Sequence, residues 1–96
     1  MENTAIVHVH AWISGRVQGV GYRFTTCQVA SERGLSGWVR NLTDGRVEAV
    51  FEGPEAQVSA MLRWCEQGPE TAIVKNVKIE YGQVEGLQGF ETRRTI

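Results

Sequence analysis

The sequence predicts an α+β fold in which two helices pack on one face of a mostly antiparallel sheet. Two observations carry this prediction. Apolar residues alternate with polar ones in several short segments, which is typical of half-buried strands, and they recur every three or four residues in two longer segments, which is typical of amphipathic helices. The order is β-α-β-β-α-β with an extra C-terminal strand, and right-handed crossovers place both helices on the same face.

The first strand and the first helix flank a glycine-rich segment. In Ile6–Ile13 the apolar residues take alternate positions, and His8 and His10 fall on the other side. We therefore expect both histidines on the solvent-facing side of the sheet rather than in a catalytic site. The first helix is predicted over 22–33 from a narrow apolar stripe, and Gly34 suits the left-handed position that ends a helix.

An Asp-Gly pair predicts a hairpin in the middle of the chain. Asp44 and Gly45 lie between the extended runs Leu35–Leu42 and Arg46–Glu52. Asp-Gly between two such runs is a strong hairpin signal. We therefore expect the second and third strands to pair directly across this turn.

The second half of the chain predicts one more helix and two more strands. The helix carries an apolar stripe made of Val58, Met61, Leu62 and Cys65. Pro54 fits its first turn, and Gly68 and Pro69 end it. The fourth strand is predicted over Val74–Val84 and a short last strand over Phe90–Ile96.

Length and composition predict one globular domain over residues 1–96. The chain is 42% hydrophobic and 22% charged, as globular domains are. Ten Lys and Arg stand against eleven Asp and Glu, so no basic excess favours nucleic acid. No apolar run approaches the roughly 20 residues of a membrane span, and Met1–Thr4 lack the features of a secretory signal. We therefore expect a cytoplasmic protein without nucleic-acid or membrane partners. The sequence does not determine the oligomeric state, and a monomer is the working expectation.

The two cysteines are predicted to be reduced thiols. Cys27 and Cys65 fall in different predicted helices, without Cys-x-x-Cys spacing. Cys65 belongs to an apolar stripe and is expected in the core, whereas Cys27 lies off the stripe and is expected to be partly exposed. A zinc site that combines them with His8 and His10 lacks the usual ligand spacing. We therefore expect no metal site.

Residues 15–23 read Gly-Arg-Val-Gln-Gly-Val-Gly-Tyr-Arg and carry the strongest functional signal. Glycines allow the backbone to approach a ligand closely. A turn that opens a helix gathers unpaired N–H groups and the positive end of the helix dipole. Phosphate is the usual occupant of such a site, and the guanidinium groups of Arg16 and Arg23 suit its oxygens. The segment predicts a compact phosphate pocket.

Two common phosphate motifs do not fit this segment. A Walker A loop requires Gly-Lys, which occurs nowhere in the chain. A dinucleotide-binding fingerprint requires a third glycine where Phe24 stands, and no acidic residue about 20 positions later completes it. The predicted phosphate pocket is therefore neither a Walker A loop nor a dinucleotide-binding turn.

The whole nine-residue string resembles the signature of the acylphosphatase family. The family's second element is matched by Gly37–Asn41, which reads Gly-Trp-Val-Arg-Asn, followed by Asp44–Glu48, which reads Asp-Gly-Arg-Val-Glu. The resemblance extends from about Val7 to the strand at Phe90. It implies a ferredoxin-like α/β sandwich and hydrolysis of small acyl phosphates to carboxylate and inorganic phosphate, without metal or cofactor.

The resemblance also implies roles for single residues. Arg23 matches the family's phosphate-binding arginine and Asn41 its water-positioning asparagine. The backbone that matches its phosphate cradle comprises Gly15, Arg16, Val17, Gln18, Gly19, Val20, Gly21 and Tyr22. The Arg16 side chain either contacts the acyl side of the substrate or forms a salt bridge at the surface, and we favour the salt bridge. The Arg40 side chain is expected to be solvated. The alternative function is a catalytically idle module that binds an anion or a partner; Arg23 and Asn41 together favour the enzyme.

Overall fold

A computed structural model describes residues 5–96 and has the predicted order of elements. These are β1 (Ile6–Arg16), α1 (Tyr22–Glu32), β2 (Ser36–Asn41), β3 (Val47–Pro54), α2 (Glu55–Gln67), β4 (Ile73–Gly82) and β5 (Phe90–Thr92). The absence of a signal segment was inferred from Met1–Thr4, which lie outside the described residues. The largest differences from the predicted bounds are that β1 continues to Arg16 and that β5 ends at Thr92.

The strands form one mixed sheet in the order β4-β1-β3-β2-β5. β1 pairs antiparallel with both β3 and β4, and β2 pairs antiparallel with β3. Only β5 is parallel to its neighbour, β2. The sheet is therefore mostly antiparallel, and β3 separates the two parallel strands β1 and β2, whose C-terminal ends point the same way.

Both helices pack on one face of this sheet and enclose the core, as predicted. The fully buried side chains include Val9, Ala11, Ile13, Val39, Val47, Ala49, Phe51, Val58, Met61 and Cys65. Burial of each large aliphatic or aromatic side chain contributes about 1.5–3 kcal/mol. The Tyr22 hydroxyl donates a hydrogen bond of 2.8 Å to the backbone carbonyl of Cys65, which ties the start of α1 to the end of α2. No helix within residues 5–96 is long and apolar enough to cross a membrane.

The predicted turns are confirmed. Gly34 ends α1 with a φ of 71°, and the N–H of Leu35 donates to the carbonyl of Ala30 at 2.9 Å. In the hairpin, the N–H of Leu42 donates to the carbonyl of Arg46 at 2.8 Å. Pro54 differs slightly from its prediction, because it precedes the first turn of α2 as the N-cap residue.

The prediction that His8 faces solvent is wrong. It lies on the face opposite the helices, yet only 7% of its surface is exposed. Its Nδ1 atom lies 2.6 Å from Glu52 Oε2. The same carboxylate accepts the backbone N–H groups of Glu85 at 2.6 Å and Leu87 at 3.0 Å. The segment 83–89 therefore covers this end of the sheet face, through a long-range contact that the alternation of β1 does not predict.

The rest of that face carries a network of charged and aromatic side chains. His10 Nε2 and Arg40 Nε each lie 2.6 Å from the carboxylate of Glu48. The Arg40 guanidinium also lies 4.7 Å from the centroid of the Trp38 ring. Arg40 is thus partly buried in an ion pair rather than solvated as expected. Burial raises the pKa of Glu48, but its bonds to Arg40 and His10 outweigh burial and hold that pKa below its ordinary value.

Candidate active site

The sheet register brings the glycine-rich loop and Asn41 to the same edge. Val47 of β3 pairs with Ile13 of β1 on one side and with Asn41 of β2 on the other. β1 ends three residues later at Arg16, where the loop to α1 begins. The end of β2 therefore stands beside the loop, which sequence alone could not establish.

A cavity of about 320 Å³ opens at this edge. Its lining consists of Val17, Gly19, Gly21, Tyr22, Arg23, Phe24, Asn41 and Thr92. The structure thus brings both predicted catalytic residues together with two glycines of the predicted phosphate cradle. Gly15, Arg16, Gln18 and Val20 belong to the same segment but do not line the cavity.

The loop backbone presents free N–H groups. Gly19 and Gly21 have φ values of 74° and 80°, which side-chain-bearing residues rarely adopt. A Cβ at either position would meet nothing within 4 Å, so these glycines are required by backbone conformation rather than by crowding. After β1, the first backbone N–H with an acceptor in the described part of the chain is that of Thr25, which donates to the Gly21 carbonyl at 3.0 Å. The N–H groups of 17–24 have no acceptor within residues 5–96.

Gly15 has a different role. Its φ is 128°, and a Cβ there would collide with the carbonyl oxygen of Ile73 on the adjacent strand β4. The pairing of β1 with β4 shifts its register between Ser14 and Gly15. Gly15 therefore permits the irregularity through which β1 leaves the sheet and enters the loop.

Two side chains anchor the loop from outside the cavity. Gln18 Nε2 donates to the carbonyls of Leu42 at 2.8 Å and Arg46 at 2.9 Å, at the base of the β2–β3 hairpin. The Thr71 hydroxyl donates to the Val20 carbonyl at 2.7 Å from the α2–β4 connection. Sequence reasoning assigned Gln18 only a backbone role and did not single out Thr71, because both contacts join distant parts of the chain.

Arg23 occupies the first turn of α1 and is half-buried. Its guanidinium forms no hydrogen bond or ion pair with any residue that the structure describes. The first turn of α1 contains no acidic residue. An unpaired guanidinium beside a helix N-terminus that carries no carboxylate favours an anion there.

Arg16 is exposed and forms no ion pair within the described part of the chain, so the favoured prediction of a surface salt bridge is wrong. Its strand partner is Ile73, at the edge of the sheet. The Arg16 side chain does not line the cavity either. The structure therefore supplies no contact for a substrate-binding role of this side chain.

Asn41 holds an unpaired acceptor at the cavity. Its Oδ1 atom is buried and accepts no hydrogen bond, the single buried side-chain oxygen or nitrogen of residues 5–96 in that condition. Leaving a buried acceptor unpaired costs about 1–3 kcal/mol. Asn41 thus adds an unsatisfied acceptor to the residues that line the cavity.

Two further lining residues were not assigned to the site from sequence. Phe24 entered the sequence argument only as the residue that breaks a dinucleotide fingerprint, although its position next to Arg23 was a usable signal. Thr92 reaches the cavity from β5, whose parallel pairing with β2 no local pattern indicates. Its hydroxyl oxygen lies 3.2 Å from Cys27 Sγ. Cys27 is half-buried and Cys65 buried, and both are free thiols, as predicted.

The fold and the cavity define a ferredoxin-like α+β domain with a glycine-rich loop at the start of its first helix. Comparison with known proteins extends this to a family. The sequence profile named Acylphosphatase matches residues 9–92. The acylphosphatase of Trichormus variabilis is 55% identical over 91 residues, covering 95% of this chain and 90% of the relative. The acylphosphatase of Haloarcula marismortui is 56% identical over 89 residues, covering 93% and 98%.

Structural comparison agrees with the sequence comparison. The structure of an acylphosphatase from Coxiella burnetii matches with a TM-score of 0.89 at 38% identity, covering 92% of this chain and 93% of that chain. This chain belongs to the acylphosphatase family. The predicted fold class is confirmed, while the roles of Arg23, Asn41 and the loop stay predictions.

Proposed function

We propose that this protein hydrolyses small acyl phosphates to a carboxylate and inorganic phosphate, as a hydrolase acting on acid anhydrides. One observation carries the proposal. An unpaired guanidinium, an unpaired asparagine oxygen and a loop with free N–H groups adjoin the same cavity. This combination suits an anion together with a water molecule. Membership of the acylphosphatase family supports the same activity.

The phosphoryl group would bind between the loop and Arg23. Free N–H groups of 17–24 and the positive end of the α1 dipole favour its negative charge. The planar fork of Arg23 can donate two parallel hydrogen bonds to two phosphoryl oxygens. Gly19 and Gly21 keep this part of the loop free of side chains, so the backbone itself can approach the ligand.

Positioning and electrostatic stabilisation are sufficient for this reaction. The leaving group of an acyl phosphate is a weakly basic carboxylate, so its departure requires little protonation. The transition state of phosphoryl transfer is loose and spreads negative charge over the phosphoryl oxygens. Donors fixed in advance around those oxygens stabilise that charge, and a single well-placed donor is worth about 10²–10³-fold in rate.

Asn41 would orient the attacking water. Its amide oxygen can accept a hydrogen bond, but the group cannot remove a proton at neutral pH. The proton therefore passes to an oxygen of the substrate's own phosphate as the new P–O bond forms and the P–O bond to the carboxylate breaks. Inorganic phosphate and the free carboxylate are the products, so atoms and charges balance without another reactant.

The remaining proposals concern the cofactor, the assembly and the compartment. We propose turnover without a divalent metal, because the roles above need only the loop, Arg23 and Asn41.

We also propose that the protein acts as a monomer in the cytoplasm. The free thiols of Cys27 and Cys65 support this compartment. Sedimentation at micromolar concentration would test the assembly, and a dimeric mass would contradict it.

The direct test measures phosphate release from benzoyl phosphate in the presence of excess chelator. We expect release at the same rate with and without chelator. Asn41→Ala protein purified identically serves as the control for a contaminating phosphatase, because release by this site should then fall. An idle anion-binding module would bind phosphate and release none from the substrate. Activity lost to chelator and restored by Mg²⁺ or Zn²⁺ would contradict the metal-independent mechanism.

Binding of the product gives a second test. Inorganic phosphate should compete with benzoyl phosphate, raising its KM without changing kcat, because both would occupy the segment 16–23. Backbone amide shifts on phosphate titration should therefore concentrate in this segment. Shifts confined to another part of the molecule would place the anion elsewhere.

A further inference from the structure

We infer that Phe24 binds the acyl group, and that the enzyme consequently prefers acyl phosphates whose acyl group is apolar or aromatic. The inference rests on the proposed function and specifies the substrate class of the same site. It begins from a side chain that the phosphate chemistry does not use. Phe24 lines the cavity directly after Arg23, and 74% of its surface is exposed.

The exposure of the Phe24 side chain is informative because of where the side chain lies. Single exposed apolar side chains are common on protein surfaces and need no explanation by themselves. Phe24, however, is the most exposed large hydrophobic side chain of residues 5–96, and it stands at the wall of the cavity that receives the phosphate. A ring in that place offers an uncovered apolar face to whatever is attached to the phosphate.

The cavity has room for such a group. At about 30 Å³ for each water-sized atom, a phosphate group with one attacking water occupies about 180 Å³ at most. The cavity measures about 320 Å³. The remaining space can accept part of an acyl group while the rest extends to solvent past the exposed ring.

The other lining residues leave Phe24 as the main apolar contact. Val17 and Tyr22 are each only 1% exposed, and the Tyr22 hydroxyl is bonded inside the core. Thr92 is exposed, but its hydroxyl is polar and lies against Cys27. Because attacking and leaving oxygens are roughly in line at phosphorus, the acyl group points away from the water that Asn41 would hold. Phe24 supplies the apolar surface for it.

The test compares benzoyl phosphate with acetyl phosphate, which share the phosphate and differ in apolar area. In wild-type protein the kcat/KM ratio of benzoyl to acetyl phosphate should exceed the ratio in Phe24→Ala. We expect the substitution to lower this ratio about two- to tenfold, the range for one aromatic contact. The change should appear mainly in the KM for benzoyl phosphate, because the ring contacts the substrate both before and during reaction.

Matched variants separate this effect from general damage. Phe24→Tyr keeps the ring and should keep the wild-type ratio. Tyr81→Ala removes another exposed aromatic, one outside the cavity, and should leave the ratio unchanged. An unchanged ratio in folded Phe24→Ala overturns the inference while leaving the proposed function intact. If wild-type protein hydrolyses neither substrate, both the inference and the proposed function are overturned.

Discussion

At the scale of single residues, Asn41 combines a proposed role in orienting water with a cost in stability. Its Oδ1 atom is a buried acceptor without a partner. We expect Asn41→Ala to lower kcat about 10²-fold, because orienting water matters mainly in the transition state. The Ki for inorganic phosphate should stay near the wild-type value. The free energy of unfolding should not fall, because the substitution removes an unsatisfied group.

Steady-state kinetics and urea unfolding of the same preparation check this prediction. Thr43→Ala is the matched control, since Thr43 is exposed two positions along the same hairpin and lies outside the cavity. Full kcat in folded Asn41→Ala protein would return Asn41 to the role of an ordinary strand-end residue. A large loss of stability would show that its amide is structural.

Arg23 should be sensitive even to replacement by another cation. Arg23→Lys keeps a positive charge but loses the planar fork, so both the affinity for phosphate and kcat/KM should fall, the latter by about 10²-fold or more. Arg33→Lys, at the other end of the same helix and outside the cavity, should leave both constants unchanged. Equal phosphate Ki values for Arg23→Lys and wild type would show that the planar group of Arg23 does not bind the phosphate.

At the scale of elements, Gln18 fixes the loop relative to the strand that carries Asn41. Gln18→Ala removes the donor of two partly buried hydrogen bonds, so we expect a loss of about 1–2 kcal/mol in the free energy of unfolding. The kcat should fall about tenfold, because small displacements of reacting groups are expensive. Gln28→Ala, an exposed glutamine of α1, is the control. Lost stability with full kcat would mean that Gln18 is only structural.

The elements also show where prediction from sequence succeeded. Local signals were sufficient for both helices, for the hairpin at Asp44 and Gly45, and for the loop that follows β1, because each depends on spacing within a few residues. The partners of Gln18 and His8 depend instead on pairing between distant segments. No periodicity encodes such pairing, so the cover of 83–89 over His8 could not be predicted.

The candidate site divides in the same way. Arg23, Asn41 and the glycines were found because they lie in contiguous strings that resemble a family signature. Phe24 and Thr92 were not assigned to it, although both line the same cavity. Thr92 lies on β5, which pairs in parallel with β2. The residues proposed to bind the phosphate could thus be predicted from the sequence, whereas the residue proposed to contact the acyl group required the assembled fold.

At the scale of the whole molecule, two buried carboxylates tie stability to pH. Burial raises the pKa of Glu52, but the N–H groups of Glu85 and Leu87 and the contact with His8 outweigh burial and lower it. The pKa of Glu48 is lowered as well. Both groups thus bind protons more readily in the unfolded chain, where a glutamate titrates at about 4.3. Their stabilisation is complete above that pH and is lost as pH falls toward their folded-state pKa values.

We therefore expect the free energy of unfolding to fall steadily as pH drops below about 4.3. At higher pH, the contribution of these two groups to that free energy should be constant. Glu52→Gln should unfold more easily than wild type at pH 7, by about 1–3 kcal/mol, because the neutral amide is a weaker acceptor for the two N–H groups. It should also lose less further stability on acidification. Urea unfolding from pH 7 to pH 3 measures both effects, with Glu32→Gln, an exposed glutamate of α1, as control. Parallel pH profiles for Glu52→Gln and wild type would show that Glu52 does not govern acid unfolding, and the covered end of the sheet would then be held by its other contacts.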